Sequence, residues 1–140
     1  MELEVSTMIQ RSVATVWDFY AVHHVENHPR WDPDIDLVNP AGGPIGVGTV
    51  IRRRSTRFGA PTEGTMEITE FEPERVMRVT THDGPMTIHG RALFAARGED
   101  ATELTLGAEF PGMDDSMADR IRPLMERSAA TIKVLIESES

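Results

Sequence analysis

Residues 114–136 read DDSMADRIRPLMERSAATIKVLI. Within them Met117, Ile121, Leu124, Met125, Ser128, Ile132 and Leu135 recur at steps of three and four, which draws one apolar stripe along a helix. Asp119, Arg122, Glu126, Lys133 and Glu137 keep the same period about half a turn away, so the helix is amphipathic and lies on a larger apolar surface. Asp114 and Asp115 suit its start, where a carboxylate accepts from free N–H groups and meets the positive end of the dipole. Burying these seven side chains at about 1.5–3 kcal/mol each contributes roughly 10–20 kcal/mol before ordering entropy is subtracted. Pro123 interrupts the pattern. It has no N–H for the Asp119 carbonyl and disfavours helical angles at Arg122, so the helix either kinks there or begins there. Before it, Met113 and Met117 belong to a loose turn or to a lid.

Upstream of the helix the period is two. Leu3, Val5, Thr7 and Ile9 alternate with polar or exposed positions, as in a strand with one covered face. Ser12 then caps a short helix with Val13, Val16, Trp17 and Tyr20 on one face, and a second short helix is expected from about His24 to His28. Pro29 and Pro33 bracket Trp31 and are expected to stop helix there. Ile35 to Val38 reads as a short strand. Pro40 to Gly48 is rich in glycine but leads into Thr49-Val50-Ile51, a strand and not the helix that a phosphate loop requires, so it reads as a turn. Turn signals at Gly59-Ala60-Pro61, Glu72-Pro73-Glu74, Asp83-Gly84 and Arg97 to Asp100 then divide strands at Thr49–Phe58, Thr62–Phe71, Arg75–His82, Met86–Ala96 and Thr102–Phe110. Seven strands, two short helices after the first and one long closing helix predict an α+β fold with one antiparallel sheet curled around that helix.

The 140 residues suit one domain spanning 1–140. Fourteen basic against 23 acidic residues give a net charge of -9, which repels a phosphate backbone and an anionic membrane surface, so no nucleic-acid partner is expected. There is no cysteine, hence no disulfide and no thiol nucleophile. The opening Met-Glu-Leu-Glu-Val lacks a signal-peptide pattern and no run is long enough to span a membrane, so the expectation is a cytoplasmic protein without membrane insertion, monomeric or homodimeric.

Several short segments resemble the polyketide cyclase/dehydrase branch of the START-like (SRPBCC) superfamily: Val16-Trp17-Asp18-Phe19, Pro29-Arg30-Trp31-Asp32-Pro33, Gly43 to Thr49, Ile68 to Pro73, and Ile132 to Glu137. The resemblance covers essentially the whole chain. It implies the helix-grip fold, a curved seven-stranded antiparallel sheet holding the C-terminal helix over an apolar cavity, with a small hydrophobic molecule as partner and no cofactor. It also implies three functional readings: a binder of a lipid-, polyketide- or other ring-like ligand, a polyketide cyclase or dehydratase, and an interaction module of the co-chaperone kind.

The lining decides among them. His24 and His28 stand four apart, but Val25 occupies the place where the zinc protease motif carries glutamate, so no metal site is expected and the histidines read as solvent-facing, with His28 as the one placed at a cavity mouth. Arg52 and Arg54 share one strand face and Arg53 and Arg57 the other. One of the two pairs is the candidate for holding an enolate or carboxylate, the register deciding which, and an inward Arg52 or Arg54 is the one carried forward. His28, Arg52 and Arg54 are therefore the candidate catalytic residues, histidine for acid/base work and arginine for enolate stabilisation. His89 and Arg91 are expected to face water, because Met86, Ile88, Ala92 and Phe94 make the more apolar parity. The candidate ligand-binding set is Trp31, Met66, Ile68, Met86, Ile88, Met117, Ile121 and Met125, in which the methionines supply adaptable walls. No Gly-x-Ser-x-Gly or other nucleophile motif is present.

Overall fold

A computed structural model describes residues 1–57 and 59–139. Alternating apolar and polar residues form β1 (Glu2–Ile9), with Leu3, Val5 and Ile9 buried and Glu2, Glu4 and Ser6 exposed. Ser12 caps α1 (Val13–Trp17) by accepting from the Thr15 N–H. The chain then passes through one widened, π-helical turn (Asp18–Val22) into α2 (His24–Trp31). Strands β2 (Ile35–Val38), β3 (Val50–Ser55), β4 (Thr62–Glu72), β5 (Val76–Asp83), β6 (Met86–Ala96) and β7 (Thr102–Glu109) follow. A 3₁₀ turn (Asp115–Met117) leads into α3 (Ala118–Glu139).

All neighbouring strands are antiparallel in the order β1-β7-β6-β5-β4-β3-β2, so the first strand closes onto the last and the short β2 forms the opposite edge. This is the helix-grip arrangement. Inner-face side chains of the sheet and the buried face of α3 (Ile121, Ser128, Ala129, Ile132, Ile136) meet in the core, with Val16, Trp17 and Ala21 filling one end. The β5–β6 turn is tight. Asp83 pairs with Met86, and Gly84 takes a φ of 55°, the positive angle that glycine adopts without steric cost.

Four expectations need correction. The helix does not stop at Pro29; α2 runs on to Trp31, because the buried His28 and Trp31 hold it against the core and outweigh one missing hydrogen bond. Pro123 does not start α3 but lies inside it, on the exposed side of the helix with Asp119, where a backbone group lacking its helical partner is within reach of water. The strand expected at Thr49–Phe58 ends at Ser55; its last position, Phe58, lies outside the described residues. His89 is exposed, but Arg91 is not simply solvated. It lies over Gly107 on the outer face and bridges Glu2 and Glu4, each at 2.9 Å.

One row across the sheet positions the site below. Arg53 on β3 faces Gly64 on β4, and Gly64 faces Asp83 on β5. With no side chain on the middle strand, the Arg53 guanidinium reaches across and bonds both Asp83 oxygens at 3.1 Å. A Cβ on Gly64 would lie 1.5 Å from the His82 carbonyl oxygen, so strand spacing and ion pair both depend on this glycine. Gly64→Ala is expected to destabilise the fold by roughly 3 kcal/mol or more, read as a lower urea midpoint, whereas alanine at the open Gly46 leaves the midpoint nearly unchanged.

Candidate functional site

Between the concave sheet face and α3 lies a cavity of about 170 Å³. Its apolar walls come from Met66 on β4, Met77 and Val79 on β5, Ile88 and Ala92 on β6, Leu106 and Ala108 on β7, and Ile121, Leu124 and Met125 on α3. One end is polar and aromatic: Tyr20, His24, His28, Trp31, Asp32, Arg53, Arg57 and Ser128.

That end is built on α2. Helical spacing puts His24, His28 and Asp32 one above another, with Trp31 beside them. Trp31 stacks on Tyr20 at 5.1 Å between ring centres and on His28 at 5.2 Å, while the two histidine rings lie 4.7 Å apart. Asp32 gathers the polar contacts. His28 Nε2 donates to its Oδ2 at 2.8 Å, and the Ser128 hydroxyl donates to Oδ1 at 2.5 Å. Arg57 Nη2 lies 3.0 Å from the same Oδ1. Burial works to raise the Asp32 carboxyl, but the His28 hydrogen bond, the Arg57 charge and the Ser128 hydroxyl outweigh it and hold the group well below the usual carboxylate range.

The protonation of both histidines follows from their partners. His24 Nδ1 lies 2.8 Å from the Tyr20 carbonyl oxygen, which only accepts, so the proton is on Nδ1. Burial, with His28 adding to it, lowers His24 to about 3 and leaves it neutral. Burial likewise lowers His28, against the opposing pull of Asp32. Because the ionised Asp32 holds the Nε2 proton, the neutral His28 ring carries its lone pair on Nδ1, and that buried atom has no hydrogen-bond partner among the described residues. Arg57 Nε is likewise buried and unpartnered. A polar atom left so costs about 1–3 kcal/mol. Burial, and then the Asp32 charge, push the Tyr20 phenol up, so it stays protonated. The wall thus holds neutral imidazoles, a phenol and two arginines each matched by a carboxylate, Arg53 by Asp83 and Arg57 by Asp32.

Of the residues singled out from the sequence, Trp31, Met66, Ile88, Ile121, Met125 and His28 line the cavity. Ile68 is fully buried in the packed core instead, and Met86 and Met117 pack with Leu3, Phe110 and Ile121 beside the cavity. Arg52 and Arg54 are corrected outright. Ile51, Arg53 and Ser55 take the inner face of β3, so Arg52 and Arg54 point outward and are exposed. The histidines are corrected too. His24 and His28 are buried at 3% and 9% exposure instead of facing solvent, while the preceding His23 is exposed. Sequence reasoning did not place His24, Asp32 or Ser128 at the cavity, and held Arg53 and Arg57 only as the alternative inward pair. The signals were present: Asp32 follows His28 by four residues, and Ser128 is the polar member of the α3 stripe.

A curved antiparallel sheet closed by a C-terminal helix over a cavity defines the START-like helix-grip class. Residues 1–137 match the family model for polyketide cyclase / dehydrase and lipid transport, and the chain belongs to that family. No curated protein matches it significantly by sequence. Among solved structures it is similar to a START superfamily protein from Mycobacterium smegmatis, with a TM-score of 0.80, 13% identity and 99% of each chain covered. It is also similar to norcoclaurine synthase from Thalictrum flavum, solved in complex with dopamine and hydroxybenzaldehyde, with a TM-score of 0.69, 14% identity, and 100% of this chain and 88% of that one covered. The di-domain ARO/CYC BexL from the BE-7585A biosynthetic pathway matches with a TM-score of 0.72 and 19% identity over 98% of this chain and 46% of BexL, so this chain spans about half of BexL. At these identities the likeness is one of fold.

The histidines make stability depend on pH in a stated direction. A histidine whose folded pKa lies below its ordinary value of 6.5 binds its proton more readily when unfolded, so its stability contribution is whole above about 6.5 and declines as pH falls toward its folded pKa. For His24 that window runs from 6.5 down to about 3. Thermal melts between pH 7 and pH 4.5 are expected to show a falling midpoint, and His24→Phe, which keeps a ring but cannot titrate, to flatten the slope by up to about 1.4 kcal/mol per pH unit.

Proposed function

We propose that this protein binds a small hydrophobic, ring-bearing molecule in the cavity between sheet and α3, its apolar body against Met66, Ile88 and Met125 and its polar group at the α2 end. The observation that carries the reading is the division of one cavity into a long apolar wall and a polar, aromatic end, the construction of a site that selects one orientation of one kind of molecule. A cavity of about 170 Å³ suits a one- or two-ring compound better than a long acyl chain. Family membership supports a ligand-binding or cyclase role in general; the compact size narrows it.

A second reading, a cyclase or dehydratase acting on a polyketide-like chain, is favoured by the His28–Asp32 pair. A neutral imidazole held by a buried carboxylate with its second nitrogen unengaged is the arrangement of an acid/base group. In such a reaction His28 Nδ1 would take a proton from an activated carbon or hydroxyl and return it to the departing oxygen, while Asp32 fixes the ring.

Native mass spectrometry of the protein purified from its own host, without detergent, tests the binding reading. The expected spectrum carries a discrete added mass that is lost on denaturation. Met125→Trp, which fills the cavity from α3, is expected to remove that mass and to leave the circular dichroism spectrum in place. A bare polypeptide mass in the unsubstituted protein, together with no binding of one- and two-ring compounds, overturns the reading.

A further inference from the structure

Resting on the binding reading above, we infer that His24 is the residue that meets the ligand's polar group, that its Nε2 accepts a hydrogen bond there, and that the ligand is a neutral molecule carrying an O–H or N–H donor. The backbone before α2 fixes the ring. In the widened turn of residues 18–22 the His23 N–H reaches back five residues to the Asp18 carbonyl at 3.1 Å. Two later carbonyls of that turn are taken by side chains of α2: Asn27 Nδ2 donates to the Phe19 carbonyl and His24 Nδ1 to the Tyr20 carbonyl, each at 2.8 Å. Widened turns of this kind recur at functional sites, and here the turn selects a tautomer. With the proton on Nδ1, Nε2 can only accept. Burial keeps the ring neutral, so the lone pair is present throughout the neutral pH range.

Access separates His24 from its neighbours. His28 Nδ1 and Arg57 Nε lack partners, but the atoms around them seal them off. A reaction through His28 therefore requires its ring to turn, whereas binding through His24 does not. His24 Nε2 also has no partner among the described residues, yet it is not one of the sealed atoms, and the space that His24 borders is the cavity. The Tyr20 phenol lies in the same wall, but a hydroxyl both donates and accepts and so sets no direction; the imidazole lone pair does. The donor it calls for is neutral. Asp83 and Asp32 are already matched by Arg53 and Arg57, so an ammonium would be buried without a counter-charge, and a carboxylate has no proton to give. A ketone or an ether only accepts, and leaves Nε2 unanswered.

The test uses three probes of similar shape: naphthalene, 2-naphthol and 2-methoxynaphthalene, titrated into the intact protein at pH 7.5 by calorimetry or by quenching of tryptophan fluorescence. Naphthol is expected to bind about tenfold more tightly than naphthalene, and the methoxy compound, which keeps the oxygen but cannot donate, to gain nothing over naphthalene. In His24→Phe the ring stays and the lone pair is gone, and naphthol's advantage over naphthalene is expected to fall away. The ¹⁵N resonance of His24 Nε2 in the unsubstituted protein is expected to move upfield with naphthol and to stay in place with the other two, a readout that needs no variant. A methoxy compound that matches naphthol, a naphthol advantage that survives in His24→Phe, no advantage at all, or a His24 resonance indifferent to naphthol each overturns the inference while leaving the cavity reading intact. Failure of all three probes to bind overturns both.

Discussion

The structure depends on one buried carboxylate. Asp32, at the C-terminal end of α2, is the point where three parts of the chain are tied: α2 through His28, the segment after β3 through Arg57, and α3 through Ser128. Removing a carboxylate from water costs several kcal/mol, which is recovered only when each oxygen is engaged and a positive charge stands close. Here both oxygens are engaged. The consequence is positional. On its outer side α3 is tied to β1 through Arg122 and Lys133 and to α2 through Glu139; on its inner side the charge-assisted bond from Ser128 to Asp32 fixes the register that sets which α3 side chains roof the cavity.

The cavity exists because the sheet's inner face is deliberately short of side chains at its middle. Gly90 and Ala92 on β6 and Ala108 on β7 leave room that larger residues at the ends, Phe94 and Leu104 among them, do not. Gly64 does the same for the polar end, since only a missing side chain lets Arg53 cross one strand to Asp83. Aromatic packing then sets the boundary. Trp17 meets Phe71 and Phe94 edge-on or tilted near 5 Å and closes the core, whereas Trp31 presents a stacked face to the space. Stability and the open volume are therefore assigned to different residues of the same sheet.

How much of this was legible in the chain depends on the range of the interaction. The period of three and four in residues 114–136 and the period of two in the strands give α3, the strand order along the chain and the α+β class, because each pattern is local and repeats. The inner face of β3 was not legible. Arg52 and Arg54 against Arg53 and Arg57 is a choice of register, and the residue that makes it, Asp83, lies thirty positions away on a strand that does not neighbour β3. His24 and His28 read as a polar face because histidine is commonly exposed; their burial comes from Trp31, Tyr20 and Asp32 packing around them, a tertiary fact. Pro29 and Pro123 read as breaks for sound local reasons, and lost to packing in one case and to solvent access in the other.

The polar end combines high cost with low net charge. Four formal charges and two imidazoles are gathered in a small volume, yet every cation has its carboxylate and both rings are neutral. Such a set gives little electrostatic attraction to a charged ligand from outside. What it does supply is direction: fixed donors and acceptors whose orientation is locked by partners that do not themselves touch the apolar body of a ligand. Burial makes the imidazoles neutral, and neutrality leaves each a lone pair, that of His28 without a partner among the described residues. The polarity of this end is thus a product of how the fold neutralises itself. In that sense the polarity of the cavity end and the electrostatic closure of the core are one constraint.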